Sequence, residues 1–184
     1  MELFIITGNS GKFREMRRHL DGTGIDMVQD DTPFMEVQSD TLEGVVIKGM
    51  EDFVSRNGSD RMVMKDDSGL FISSLQGFPG VYSAYVMRTL GCKGILRLME
   101  GEEDKVAFFK TVIGLYRPGI GISLYRGEVH GRISHSEVGR SGFGFDPIFI
   151  PEHNDRTFAE MALEEKNSMS HRIRALDNLL KDLL

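Results

Sequence analysis

Cysteine is almost absent from this chain of 184 residues: Cys92 stands alone. No internal disulfide can form, and a thiolate-based zinc site is excluded. Its neighbours Gly91, Lys93 and Gly94 offer no base to activate it, so it reads as an incidental thiol. With a single cysteine, the five histidines have no cysteine pair to complete a finger-type zinc site, and a zinc site is not expected. Basic charge is short as well: 22 Lys and Arg stand against 28 Asp and Glu, a formal net charge of −6. Affinity for a nucleic-acid backbone comes mainly from clustered Lys and Arg, so stable nucleic-acid binding is not expected. The chain has no long apolar run and no basic segment ahead of its first strand, so membrane insertion and secretion are not expected and a cytoplasmic location is. Internal repeats, low-complexity tracts and linkers are missing too. One domain over residues 1–184 is the simplest reading, large enough to bury a core without staples.

What is present starts at once. The apolar residues Phe4-Ile5-Ile6 run into Thr7-Gly8-Asn9-Ser10-Gly11-Lys12, a small glycine-rich turn ending on a lysine and opening a helix. Such a turn offers backbone N–H groups, the positive end of a helix dipole and a mobile cation, which together suit phosphate. The spacing differs from a Walker A loop, because only Asn9 and Ser10 separate Gly8 from Gly11-Lys12 and Phe13 follows the lysine.

Periodicity predicts strands at residues 3–7, 62–64 and 70–72, and helices at 12–20 and 41–56, the second capped by Ser39 or Asp40 with Glu43 completing a capping box. Phe78-Pro79-Gly80 reads as a turn and residues 87–99 as a helix. Three strand-like runs, 106–116, 120–125 and 128–134, are punctuated by Pro118-Gly119 and Arg126-Gly127 and read as an antiparallel meander. A short strand at 147–150 and helices at 157–166 and 170–184 complete the chain. Helices at both ends with strands between them predict an α/β fold with a mixed sheet.

Five further places carry chemistry. Asp66-Asp67-Ser68-Gly69, between two predicted strands, is a solvated turn or a pair of carboxylates relieved by a cation, and strand alternation points only one of the two into a given site. Glu36 lies among apolar residues; with Asp67 it could hold Mg²⁺, which takes one or two carboxylates, waters and the substrate's own phosphates. In Ser141-Gly142-Phe143-Gly144-Phe145-Asp146-Pro147 the glycines admit close approach. Phe143 and Phe145 offer faces for a flat base, unless they are core residues of an ordinary strand, and Asp146 can accept from ring N–H groups. Lys166, His171 and Arg172 bracket a helix start, where cations oppose the dipole and a bound anion would relieve them. Lys48, on the second helix, could flank a polyphosphate with Lys12 or be an ordinary surface lysine.

In chain order these segments resemble the inosine/xanthosine triphosphate pyrophosphatases. The matching elements are Thr7-Gly8-Asn9 with Lys12 and Glu15, Glu36, Asp67-Ser68-Gly69-Leu70, and Phe78-Pro79-Gly80-Val81-Tyr82-Ser83-Ala84. Gly142-Phe143-Gly144-Phe145-Asp146-Pro147-Ile148-Phe149 follows, then Phe158-Ala159-Glu160-Met161 and Glu165-Lys166-Asn167 with Ser170-His171-Arg172. The resemblance spans nearly the whole chain. It implies a single nucleotide pyrophosphatase domain with an elongated mixed sheet flanked by helices, two lobes around a central cleft, and a homodimer. It also implies Mg²⁺-dependent hydrolysis of non-standard purine nucleoside triphosphates (ITP, dITP, XTP) to the monophosphate and pyrophosphate. By that resemblance Thr7, Gly8, Asn9, Ser10, Gly11 and Lys12 embrace the phosphates, Glu36 and Asp67 serve the metal, and Asp67 is the general base. Lys48 and Ser68 contact substrate, while Phe143, Gly144, Phe145, Asp146, Lys166, His171 and Arg172 bind the base and the rest of the nucleotide. Two departures stand out: Tyr85 and Val86 follow where many members carry an arginine, with Arg88 nearby, and Asp66 stands where others often carry glutamate. A nucleotide sensor that binds without hydrolysis is one alternative, and a pyrophosphatase of the septum-inhibition type is another.

Overall fold

The β-branched and aromatic run at Glu2–Ile6 forms β1, and the chain then enters helix α1 (Ser10–His19), β2 (Asp26–Asp30) and α2 (Leu42–Asn57). These assignments come from a computed structural model in which residues 1–32, 37–58 and 60–184 are described. The remaining elements are β3 (Val63–Ile72), α3 (Ser83–Thr89), α4 (Gly91–Leu98), β4 (Val106–Arg117), β5 (Gly121–Ile133), β6 (Phe149–Pro151), α5 (Leu163–Asn167) and α6 (His171–Leu183). Among the described residues the strands form one six-stranded sheet in the order β2-β1-β3-β4-β5-β6. β1 pairs in parallel with both β2 and β3, whereas β6 runs antiparallel to β5, so the sheet is mixed as expected. Among the described residues no helix is long and apolar enough to cross a membrane.

Several boundaries differ from the sequence reading, each for a local reason. Residues 63–72 form one continuous strand rather than two flanking a turn, so Asp66-Asp67-Ser68-Gly69 lies inside β3. The predicted three-stranded meander is two long strands: Gly127 sits buried within β5, and only Pro118–Ile120 interrupts the backbone. A connection this short between neighbouring strands makes them antiparallel. The predicted helix over 87–99 is two helices broken at Gly91, whose φ of +62° is open to glycine and strained for other residues. Residues 157–166 hold a short 3-10 turn, Phe158–Glu160, closed by a Thr157/Glu160 capping box, and then α5. Thr41, not Ser39 or Asp40, caps α2: its hydroxyl accepts the Gly44 N–H at 3.1 Å. Strand β2 was not foreseen, because Asp26-Met27-Val28-Gln29-Asp30 carries too short an apolar signal.

Two compact units divide the chain. The first combines Met1–Asp67, Thr111–Gly127 and Arg172–Leu184. Its core packs Leu3, Ile5, Met16, Met64, Ile113 and Leu115 with Ile173, Leu176 and Leu179 of α6. The second combines Ser68–Lys110 and Glu128–His171, around Leu70, Ile72, Ile95, Phe109, Phe149 and Phe158.

Candidate active site

In the first unit, β1 lies between β2 and β3, and the chain leaves it through α1 toward β2 and returns through α2 to β3 on the other side. The loop after such a strand sits where the connections diverge, the usual ligand position in open parallel sheets. Here that loop is Thr7-Gly8-Asn9. The Thr7 hydroxyl accepts the Asn9 N–H at 3.1 Å. The Asn9 side-chain oxygen caps α1, accepting from Gly11 N–H at 2.9 Å and Lys12 N–H at 3.1 Å, while its carbonyl takes Phe13 N–H. Several N–H groups of the turn thus hold the helix start itself, and exposed Gly8 and Ser10 form its tip.

β3 outruns β1. Ile5 pairs with Met64, and β3 then carries Asp66 and Asp67 past the end of β1. The Asp66 side chain is 1% exposed, with Lys12 Nζ at 3.1 Å and Arg172 Nε at 3.3 Å from the same carboxylate oxygen. Lys12 also donates to the Asp66 carbonyl at 3.4 Å. Arg172, at the start of α6, reaches Glu15 of α1 through Nη1. Lys12, Asp66, Arg172 and Glu15 therefore form an alternating chain of four charges. Burial alone would push the Asp66 carboxyl up, but the Lys12 ammonium and the Arg172 guanidinium outweigh it and hold it below its ordinary value. Arg172 is held charged in the same way: burial opposes the cation, and Glu15 and Asp66 overcome it. The cation at the start of α6, for which the sequence reading invoked a bound anion, already has two carboxylates beside it.

Alternation sends Asp67 to the other face of β3, where it is half-buried. Lys65 shares that face and is buried, its stem lying against α2 at Gly49, where a Cβ would come within 2.7 Å of Lys65 Cε. Nothing in the sequence marked Lys65, since a lysine in a strand is ordinarily solvated. Lys48 on α2 is exposed. Glu36 lies outside the described residues.

In the second unit the glycine-rich segment encloses a buried ion pair. Asp146 and Lys166 meet at 2.6 Å, their side chains 4% and 3% exposed. Asp146 also accepts the Phe143 N–H at 2.9 Å. Gly142, at φ +74°, is required there because a Cβ would run into the Asp146 carboxylate. The Lys166 ammonium lies over the Phe143 ring at 4.8 Å and the Phe158 ring at 5.5 Å. His171 stacks on Phe109 with centroids 4.7 Å apart and planes 11° from parallel. Phe143 is half-buried, whereas Phe145 is a residue of the core. Ser68 is half-buried on β3. Ser83, from the Tyr-Ser-Ala motif, accepts Leu70 N–H at 2.8 Å and donates to Gly80 O at 2.7 Å, fastening that motif to β3. Tyr85 and Arg88 are exposed on α3.

Residues 3–182 match the model of the Ham1 family. A Pyrococcus horikoshii protein named dITP/XTP pyrophosphatase is 51% identical over 96% of this chain and 93% of its own length. A Thermococcus kodakarensis protein of the same name is 48% identical over 96% and 94%. Among solved structures, a HAM1 protein from Coxiella burnetii superposes with a TM-score of 0.87 at 29% identity, covering all of this chain and 98% of that one.

Proposed function

Since this chain belongs to the Ham1 family, we propose that it hydrolyses non-standard purine nucleoside triphosphates (ITP, dITP and XTP) to the monophosphate and pyrophosphate, cleansing the cytoplasmic nucleotide pool. The observation that carries the reading is the meeting of Lys12 with Asp66 just beyond the end of β1, where β3 also presents Asp67. A lysine ammonium and a half-buried carboxylate on neighbouring elements support a reading in which the first meets phosphate and the second serves water.

In this reading the tip of the Thr7–Lys12 turn, Lys12 and Lys48 offset the charge of the triphosphate, which must be done before a nucleophile approaches phosphorus. Asp67 orients a water and takes its proton as it attacks the α-phosphorus, and the bond to the departing pyrophosphate breaks. Mg²⁺ suits the donors present, because it needs only one or two carboxylate oxygens besides waters and phosphate. Asp67 and Glu36 would hold it, and when bound it supplies charge neutralisation of the phosphates. Ser68 contacts the substrate. Phe143, Asp146, Lys166, His171 and Arg172 serve the base and the remaining nucleotide, with the half-buried Phe143 ring as the stacking face. A homodimer belongs to the same proposal, supported by exposed Phe78, Tyr82 and Tyr85 in the second unit and tested by sedimentation.

A substrate panel with separate detection of pyrophosphate and orthophosphate tests the function. ITP and XTP should release pyrophosphate far faster than ATP. Binding without turnover would favour the sensor, and orthophosphate as first product would indicate a different hydrolase.

A further inference from the structure

Glu15 is a carboxylate on a helix, yet its side chain is 2% exposed and meets an arginine 157 residues away. Three elements converge there: α1 brings Lys12 and Glu15 on one face, β3 brings Asp66, and α6 brings Arg172. Charges this deep are costly unless each is paired, and a chain that needed only a close-packed joint could fill it with apolar side chains. What the ionic version adds is direction. An arginine fork fixes the plane of a carboxylate, and that carboxylate fixes an ammonium.

We propose that Glu15 is a positioning residue for the phosphate end of the site: it holds Arg172, Arg172 orients Asp66, and Asp66 sets where the Lys12 ammonium stands. This rests on the hydrolytic reading above, and it assigns Glu15 a role that does not require contact with substrate. Each link is geometric. Arg172 bonds Glu15 through Nη1 and Asp66 through Nε, so one rigid guanidinium spans both acids. Asp66 Oδ2 then receives both Arg172 and Lys12. With Glu15 neutral, Arg172 has one fewer anion to hold it and Asp66 loses its fixed orientation, so Lys12 is no longer delivered to one place.

The test is a double-mutant cycle of Glu15→Gln with Arg172→Gln, read as kcat and KM for pyrophosphate release from ITP, at a temperature where each variant is folded by circular dichroism. E15Q should lower kcat about tenfold or more, because misplacing a charge-stabilising group is felt in the transition state. In the R172Q background the same substitution should cost less than twofold, because the link it acts through is already gone. A loss under twofold in E15Q alone, or losses that multiply in the double variant, would overturn the proposal. Should E15Q fail to fold, Glu15→Asp replaces it, retaining the charge on a shorter stem, and the same pattern is required. A parent chain that releases no pyrophosphate from any nucleotide refutes the hydrolytic reading. The positioning role is then judged by binding of inorganic tripolyphosphate, where E15Q must weaken affinity about tenfold and R172Q must cancel the difference.

Discussion

Asp66 and Asp67 are adjacent, identical and placed in opposite surroundings. The first is enclosed with Lys12 and Arg172, and the second is half-buried on the other face of β3. Asp67→Asn should therefore abolish turnover while leaving the fold and nucleotide binding intact, since the amide keeps the shape and loses the charge. Near-normal pyrophosphate release from ITP by this variant would remove Asp67 from the mechanism. Lys12→Ala should weaken triphosphate binding more than monophosphate or nucleoside binding, as calorimetry would show, whereas an equal loss across all three would make Lys12 structural. Cys92 makes a different point. Burial, with Glu137 and Asp146 adding to it, pushes its thiol up to about 12. The thiolate is the reactive form, so folded protein at pH 8 should resist iodoacetamide that modifies the urea-unfolded chain readily. Equal rates would show the site to be open. Lys12 and the acid pair were legible because their residue types and spacing imply chemistry. Glu15 was legible only as part of a motif, since helical periodicity tells which residues share its face and not which distant helix that face meets.

At the scale of elements, the entry strand, the glycine turn and the first two helices could be read from apolar periodicity and turn chemistry, whereas the parallel pairing of that strand could not. The misreadings of β3 and β5 share one cause: charged or glycine residues inside a strand look like turns. Lys65-Asp66-Asp67 continues β3 because buried partners from other elements satisfy it, as the Asp66 pair with Lys12 shows, and Gly127 stays within β5 because the sheet keeps its backbone paired. Sequence distance hides such compensation. The α2 cap is a smaller case, where three neighbouring residues, Ser39, Asp40 and Thr41, are all capable and only geometry selects Thr41. Thr41→Ala should destabilise the fold by about 1 kcal/mol, typical of a lost N-cap, while Asp40→Ala should cost clearly less. Urea denaturation of the two variants separates them, and equal midpoints would return the cap to an open question.

For the whole molecule the decisive fact is that the last helix completes the first unit. α6 places Ile173, Leu176 and Leu179 into the core built around Leu3, Ile5, Met16 and Met64, and its first turn supplies Arg172 to Asp66 and Glu15. Composition and periodicity showed an amphipathic C-terminal helix but could not show which strands it covers. Burying one large aliphatic side chain contributes about 1.5–3 kcal/mol, so these three account for about 5–9 kcal/mol, comparable to the whole stability of an ordinary domain at about 5–15 kcal/mol. Removing α6 also leaves two buried carboxylates without their arginine. A chain ending at Ser170 should therefore fail to fold its first unit, even though all of that unit's described strands are present. Removing Leu184 alone, a residue 79% exposed, should change stability by less than about 0.5 kcal/mol. Circular dichroism melts of the two truncations, with tripolyphosphate binding as the functional readout, check this. A cooperative melt and retained binding in the chain ending at Ser170 would mean that the first unit is held by β1 to β3 and their helices alone, and that the Arg172 link is dispensable to the site.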